Sequence, residues 1–181
     1  AYADLQAALD AAEASGGSIQ EIWVANGTYK PSKRTDPDDP RSATFAMVNG
    51  ASMYGGFAGT ESSIDERDIN ANPTILSGDL QGDDGPDFAN YDENVWHVVT
   101  ARDINEGALF DGFNVRGGNA NSPSHFPNIL GGGMLIEEAW PIVRNCTFVR
   151  NYAGNDVSNV ATTTGGGGGL PHHRGRLRVR D

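Results

Sequence analysis

The chain has 181 residues, of which 13 are Lys or Arg and 24 are Asp or Glu, giving a formal net charge of −11. Its 24 glycines disfavour a helical bundle, because each glycine in a helix interior costs about 1 kcal/mol relative to alanine. A pI ≈ 4.6 denies it the cationic footprint of a nucleic-acid binder, and no apolar run is long enough to span a membrane as a helix.

At the N-terminus, residues 2–14 place Leu5, Ala8, Leu9 and Ala12 at i, i+3, i+4 and i+7. That spacing predicts a short amphipathic helix, stopped by Gly16 and Gly17. Next, Ile22, Trp23 and Val24 lead into an Asn26-Gly27 turn followed by Tyr29. Residues 31–43, PSKRTDPDDPRSA, have no periodicity and read as an exposed loop.

From residue 44 onward the chain becomes repetitive. Short β-type runs appear as TFAMV, ASMYGGF, PTILSGD, WHVVTA, ALFDGFNVRGG, GGGMLIE and PIVRNCTFVRN, each punctuated by Gly, Asn or Asp. Shifting the sequence by 33 residues sets Phe113 on Cys146, Val115 on Phe148 and Ala120 on Ala153. A shift of 35 sets Gly131–Met134 on the stretch Gly166–Gly169. Strand repeats of this length predict a solenoid whose interior is filled by stacked apolar rungs. Leu109 or Phe110, Phe113, Val115, Ile142, Cys146 and Phe148 are the expected rungs, joined by Tyr54 and Phe57. An open coil end exposes unpaired strand edges, so helix 2–14 is expected to cap the first coil. The asparagines Asn119, Asn121, Asn145, Asn151 and Asn155 suit turns, where stacking in successive coils would form ladders.

The N-terminal stretch LQAALDAAEASGG…IWVANGTY resembles the start of pectin-lyase-like right-handed parallel β-helix proteins. MYGGFAGTE, RDINANPTILSGDLQGDD, LFDGFNVRGGNAN, GGGM and PIVRNCTFVRNYAGN are similar to coil repeats of large secreted or surface-attached bacterial members. The resemblance covers residues 2–170. It implies an all-β, right-handed parallel β-helix with a short N-terminal capping helix, and a secreted or cell-surface location in a bacterium. It also implies that residues 1–170, with coils from about 19 to 170, are the N-terminal part of a longer helix continued by further coils. Residues 171–181 carry four Arg and one Asp after five consecutive glycines, and are expected to be a non-native or disordered tail.

Several constellations could carry chemistry. Asp79, Asp83 and Asp84 lie in the loop GDLQGDDGPD and offer hard oxygen ligands for Ca²⁺. Gly82-Asp83-Asp84 also resembles the Gly-Asp-Asp element of β-helix polygalacturonases. The Gly-His-Gly and Arg-x-Lys elements of that family are absent, so no catalytic residue is assigned. Trp96, Trp140 and Tyr91 are candidate stacking platforms for sugar rings, and Arg116 is a candidate groove residue. His97 and the lone Cys146 read as structural. The expectation is a non-catalytic module presenting a face to a polysaccharide or cell-surface glycan. The alternative is a polysaccharide lyase or glycoside hydrolase acting on acidic polysaccharide.

Overall fold

The apolar stripe at the N-terminus forms α1 (Leu5–Ala14), which buries Leu5, Leu9 and Ala12 against the first coil. Gly16 and Gly17 end it with φ of 60° and 93°, a backbone region where a side chain would be strained. The computed structural model describes residues 1–105, 107–122, 128 and 130–154, with the backbone of 160–163 and 178–180. The glycine run and most of the tail lie outside the described residues. Among the described residues no helix is long and apolar enough to cross a membrane.

The first coil contains β1 (Glu21–Ala25), β2 (Gly27–Tyr29) and β3 (Phe45–Ala46). The second contains β4 (Ser52–Phe57), β5 (Thr74–Ser77) and β6 (Val99–Arg102). In the third are β7 (Leu109–Asp111), β8 (Phe113–Arg116), β9 (Asn119–Ala120) and β10 (Met134–Glu137). Then follow β11 (Ile142–Arg144), β12 (Thr147–Phe148), β13 (Tyr152–Ala153), β14 (Val160–Thr163) and β15 (Arg178–Arg180). Among the described residues no strand pairs with its neighbour in sequence. Instead, strands stack in parallel as β1-β4-β7-β11-β15, β2-β5-β8-β12, β3-β6-β10-β14 and β9-β13. The molecule is a parallel β-helix with one N-terminal helix, as expected. The Asn26-Gly27 turn is therefore a coil corner between two sheets rather than a hairpin, and Gly27 adopts φ 143° there.

The strand period of two sorts side chains into an inner and an outer row. On the first sheet Ile22, Met53, Phe110 and Val143 pair in register as the inner row, and all are buried. Leu76, Val115 and Phe148 form the corresponding row on the second sheet, and Phe45, Val99 and Met134 on the third. Phe110 also stacks on Phe113, with ring centroids 4.5 Å apart. Two expected rungs are displaced. Val143 takes the buried place assigned to Ile142, because β11 presents its middle residue inward. Tyr54 lies on the outer row, paired with Trp23 and Asp111. Cys146 packs against the core as expected, half-buried at a corner with its Sγ 3.1 Å from Arg144 O, and burial pushes its thiol up to about 11.

The 33-residue shift is the true spacing of the third and fourth coils. Val115 pairs with Phe148, Ala120 with Ala153, and Asp111 with Arg144. On the third sheet the expected register fails, because Met134 pairs with Val160 and not with the glycine run. The asparagine ladder does not form where the register is defined, because Asn119 meets Tyr152. Asn119 and Asn151 instead turn inward, where their amides bond to Tyr91 O (2.7 Å) and Val115 O (3.0 Å). At Gly118 the chain passes so close to Gly132 that a Cβ would collide with the Gly132 carbonyl.

Candidate functional site

The aperiodic segment 31–43 does not hang free. Lys33 Nζ bonds Asp10 (3.0 Å) and Glu13 (2.8 Å) of α1, and its carbonyl accepts from Thr44 N at 3.2 Å. Further along, Arg41 acts as a clamp. Its Nε donates to Asn94 O at 2.6 Å, and its Nη2 to Asn119 O at 2.7 Å and Asn121 Oδ1 at 2.9 Å. The guanidinium carbon lies 3.5 Å from the centre of the Trp96 ring. Asp39 Oδ1 accepts from Arg41 N and Oδ2 from Trp96 Nε1 at 2.7 Å. The loop thereby folds over the outer face of the third sheet and fixes the indole on two sides.

Beneath it lies a cleft of about 120 Å³, lined by Trp96, Asp36, Asp39, Thr100, Arg102 and His97 among others. His97 is buried, with Nδ1 3.2 Å from Gly131 O and Nε2 3.3 Å from the Asn128 amide. Burial lowers its pKa from 6.5, and a neutral imidazole carries a single N–H, so it donates to one of these two oxygens. Asp39 uses both oxygens. Arg102 Nε pairs with Glu137. The cleft is a polar recess with a rigid aromatic wall, and its best-placed acid–base groups are already engaged.

The other three sugar candidates do not join Trp96. Tyr91 is buried; its hydroxyl donates to Arg150 O at 3.1 Å and its ring packs edge-on against Phe88. Trp140 is 40% exposed at the corner before β11. Arg116, exposed at the end of β8, pairs in register with Ser77 and makes no ion pair among the described residues. Asp36, Asp39, Arg41 and Arg102 were missed in the sequence because they converge through tertiary contacts of a segment with no periodic signal.

The acidic loop is also rearranged. Asp79 and Asp83 converge with Glu93, their ligand oxygens within 4.8 Å of one another. Asp84 turns away, its two oxygens taking Asn94 Nδ2 at 3.0 and 3.1 Å. Asp79 accepts backbone N–H groups from Gly82, Asp83 and Asp84, and Lys30 Nζ stands 3.9 Å from it as a counter-charge. Glu93 Oε1 accepts from Gln81 N at 2.9 Å, while its Oε2 is buried without a partner. Burial first, then the neighbouring Asp79, Asp84 and Asp83, raise the Glu93 pKa above 4.5. These three carboxylates have the oxygen chemistry of a Ca²⁺ site, with Glu93 in the place expected for Asp84.

A raised carboxyl pKa means the folded state holds its proton more tightly than the unfolded chain. The resulting penalty is absent below pH 4.5 and complete above the raised folded value. Glu93→Gln is therefore expected to raise the melting temperature at pH 7 in EDTA, with the gain vanishing below pH 4.5. Thermal melts at the two pH values check this; a lower melting temperature at pH 7 would show that the ionised carboxylate stabilises the loop.

The fold and this geometry define a parallel β-solenoid with an aromatic-walled cleft over one sheet. No protein-family model, curated protein or solved structure matches the chain.

Proposed function

We propose that the chain is a non-catalytic module of a secreted or cell-surface bacterial protein, and that it binds glycan in the cleft beside Trp96. The observation that carries the reading is the immobilised indole. Sugar rings stack on flat aromatic faces, and a platform already fixed by Arg41 and Asp39 loses little entropy on binding. Asp36, Thr100 and Arg102 supply polar groups around it for hydroxyls. Engagement of His97 and Asp39 in structural bonds supports binding without turnover, because a general acid or base must reach the proton it transfers. The extracellular setting rests on the resemblance of the coil sequences.

The test is a glycan array followed by calorimetry on the best ligand, with Asp36→Ala and Arg102→Ala as cleft variants. Each variant is expected to weaken binding about tenfold or more, equivalent to about 1.4 kcal/mol, with an unchanged circular dichroism spectrum. Undiminished binding in both variants would place the glycan elsewhere. Release of reducing ends or of unsaturated product from any bound polysaccharide would favour the enzyme reading.

A further inference from the structure

A second, wider cleft of about 880 Å³ opens between α1 and the third sheet. It shares Thr35, Thr44 and Arg102 with the Trp96 cleft, so the two are parts of one groove along the outer face of that sheet. Its accessible apolar lining is Ala46, exposed, and Val48, half-buried, over the buried Leu9, Ala12, Met47 and Ile104. Sugar rings offer apolar C–H faces to such a lining and hydroxyls to the polar rim.

The charges lining the groove narrow the ligand class. Lys33 is held by Asp10 and Glu13, and Arg102 by Glu137. Arg41 is stacked on Trp96 and spent on carbonyls, and Arg34 Nη1 donates to Pro37 O at 3.0 Å. Asp36, Asp39 and Asp103 line the same groove with Asp10 and Glu13, five acids to the four cations Lys33, Arg34, Arg41 and Arg102. Within a chain of net charge −11, that lining repels uronates and sulfated sugars.

We infer that the groove binds an extended neutral oligosaccharide, with one end against Trp96 and the other running toward α1. This inference rests on the proposal that Trp96 holds a sugar, and it adds the length and charge of the ligand. Several linked residues in one groove bind together because the later contacts are intramolecular once the first is made. Affinity must therefore rise with chain length.

Ala46 provides the means to separate the two ends. It is exposed on β3, faces the same side as Thr44 and lines the wide cleft but not the Trp96 cleft, so Ala46→Trp fills the wide end of the groove. Calorimetry with neutral β-linked glucan, mannan, xylan and N-acetylglucosamine series, from disaccharide to hexasaccharide, reads the length dependence. The expected result is at least about tenfold tighter binding of a hexasaccharide than of its disaccharide, and no binding of polygalacturonate. Ala46→Trp, with its fold checked by circular dichroism, should lose that gain and keep the disaccharide affinity. Equal affinity at all lengths, or an unaffected hexasaccharide in Ala46→Trp, would overturn the extended groove while leaving the Trp96 site standing. Preferential binding of polygalacturonate would overturn the neutral ligand class. Failure of every sugar, disaccharides included, would overturn the Trp96 site and the groove with it.

Discussion

Replacing Asp111 by alanine is expected to destabilise the chain by about 3–5 kcal/mol, the range for removing one partner from a buried ion pair. Asp111 sits fully buried on the outer row of the first sheet. Its Oδ2 accepts from Arg67 Nη2 at 2.8 Å and Arg144 Nε at 2.7 Å, and its Oδ1 from Asn145 Nδ2 at 2.8 Å. Arg67 also donates to Gly55 O at 3.1 Å, so the carboxylate joins three coils through one network. Burial alone would push its pKa up, but the three donors outweigh it and hold it below 3.8. A depressed folded value means this stability is present above the unfolded pKa near 3.8 and is lost as pH falls through the folded one. Denaturant unfolding at neutral pH measures the loss. Asp111→Asn should cost less, since it keeps acceptor geometry while giving up charge. A change below about 1 kcal/mol in the alanine variant would mean the arginines find other partners.

Phe110→Ala is the other large effect, at about 3–5 kcal/mol for truncating a buried phenylalanine. The ring is wholly buried, lies between Met53 and Val143 in the inner row, and stacks on Phe113. Neighbouring coils are tied by parallel backbone ladders on several sheets, so the space left cannot close by a simple shift of one strand. Phe148, only half-buried at its row's end, should lose less under the same substitution. Chemical denaturation of both variants tests the order. An equal or larger loss at Phe148 would contradict the arrangement of the inner rows.

The solenoid is legible because the first three strands of its third and fourth coils repeat at one constant 33-residue spacing. Phe113-x-Val115 and Cys146-x-Phe148 fall in register, and even the ion pair of Asp111 with Arg144 appears at the same shift. The second coil was harder to see. Met53 finds its partner only at Phe110, because the segments 58–73 and 78–98 loop out between its strands. Strand alternation alone leaves the inner face of β4 and β11 undecided, so it admits Tyr54 and Ile142 as rungs where Met53 and Val143 take the core. The cleft itself has no linear signature. Arg41 reaches Asn94 and Asn119 across the fold, and only that closure brings Asp36 and Asp39 beside Trp96. Glu93 joins Asp79 and Asp83 for the same reason, at the far end of the loop that begins with them.

The chain has three tryptophans, and their indole N–H groups provide the most direct measurement. Trp96 Nε1 donates to Asp39 inside the cleft, Trp23 Nε1 donates to Glu21 on the first sheet, and Trp140 stands 40% exposed at a corner. In a ¹⁵N–¹H correlation spectrum these report three separate surfaces. Titration with a neutral hexasaccharide should move the Trp96 indole resonance in a saturable way and leave those of Trp23 and Trp140 in place. Saturable movement of either of the other two indoles with Trp96 stationary would contradict the assignment of the cleft as the glycan site.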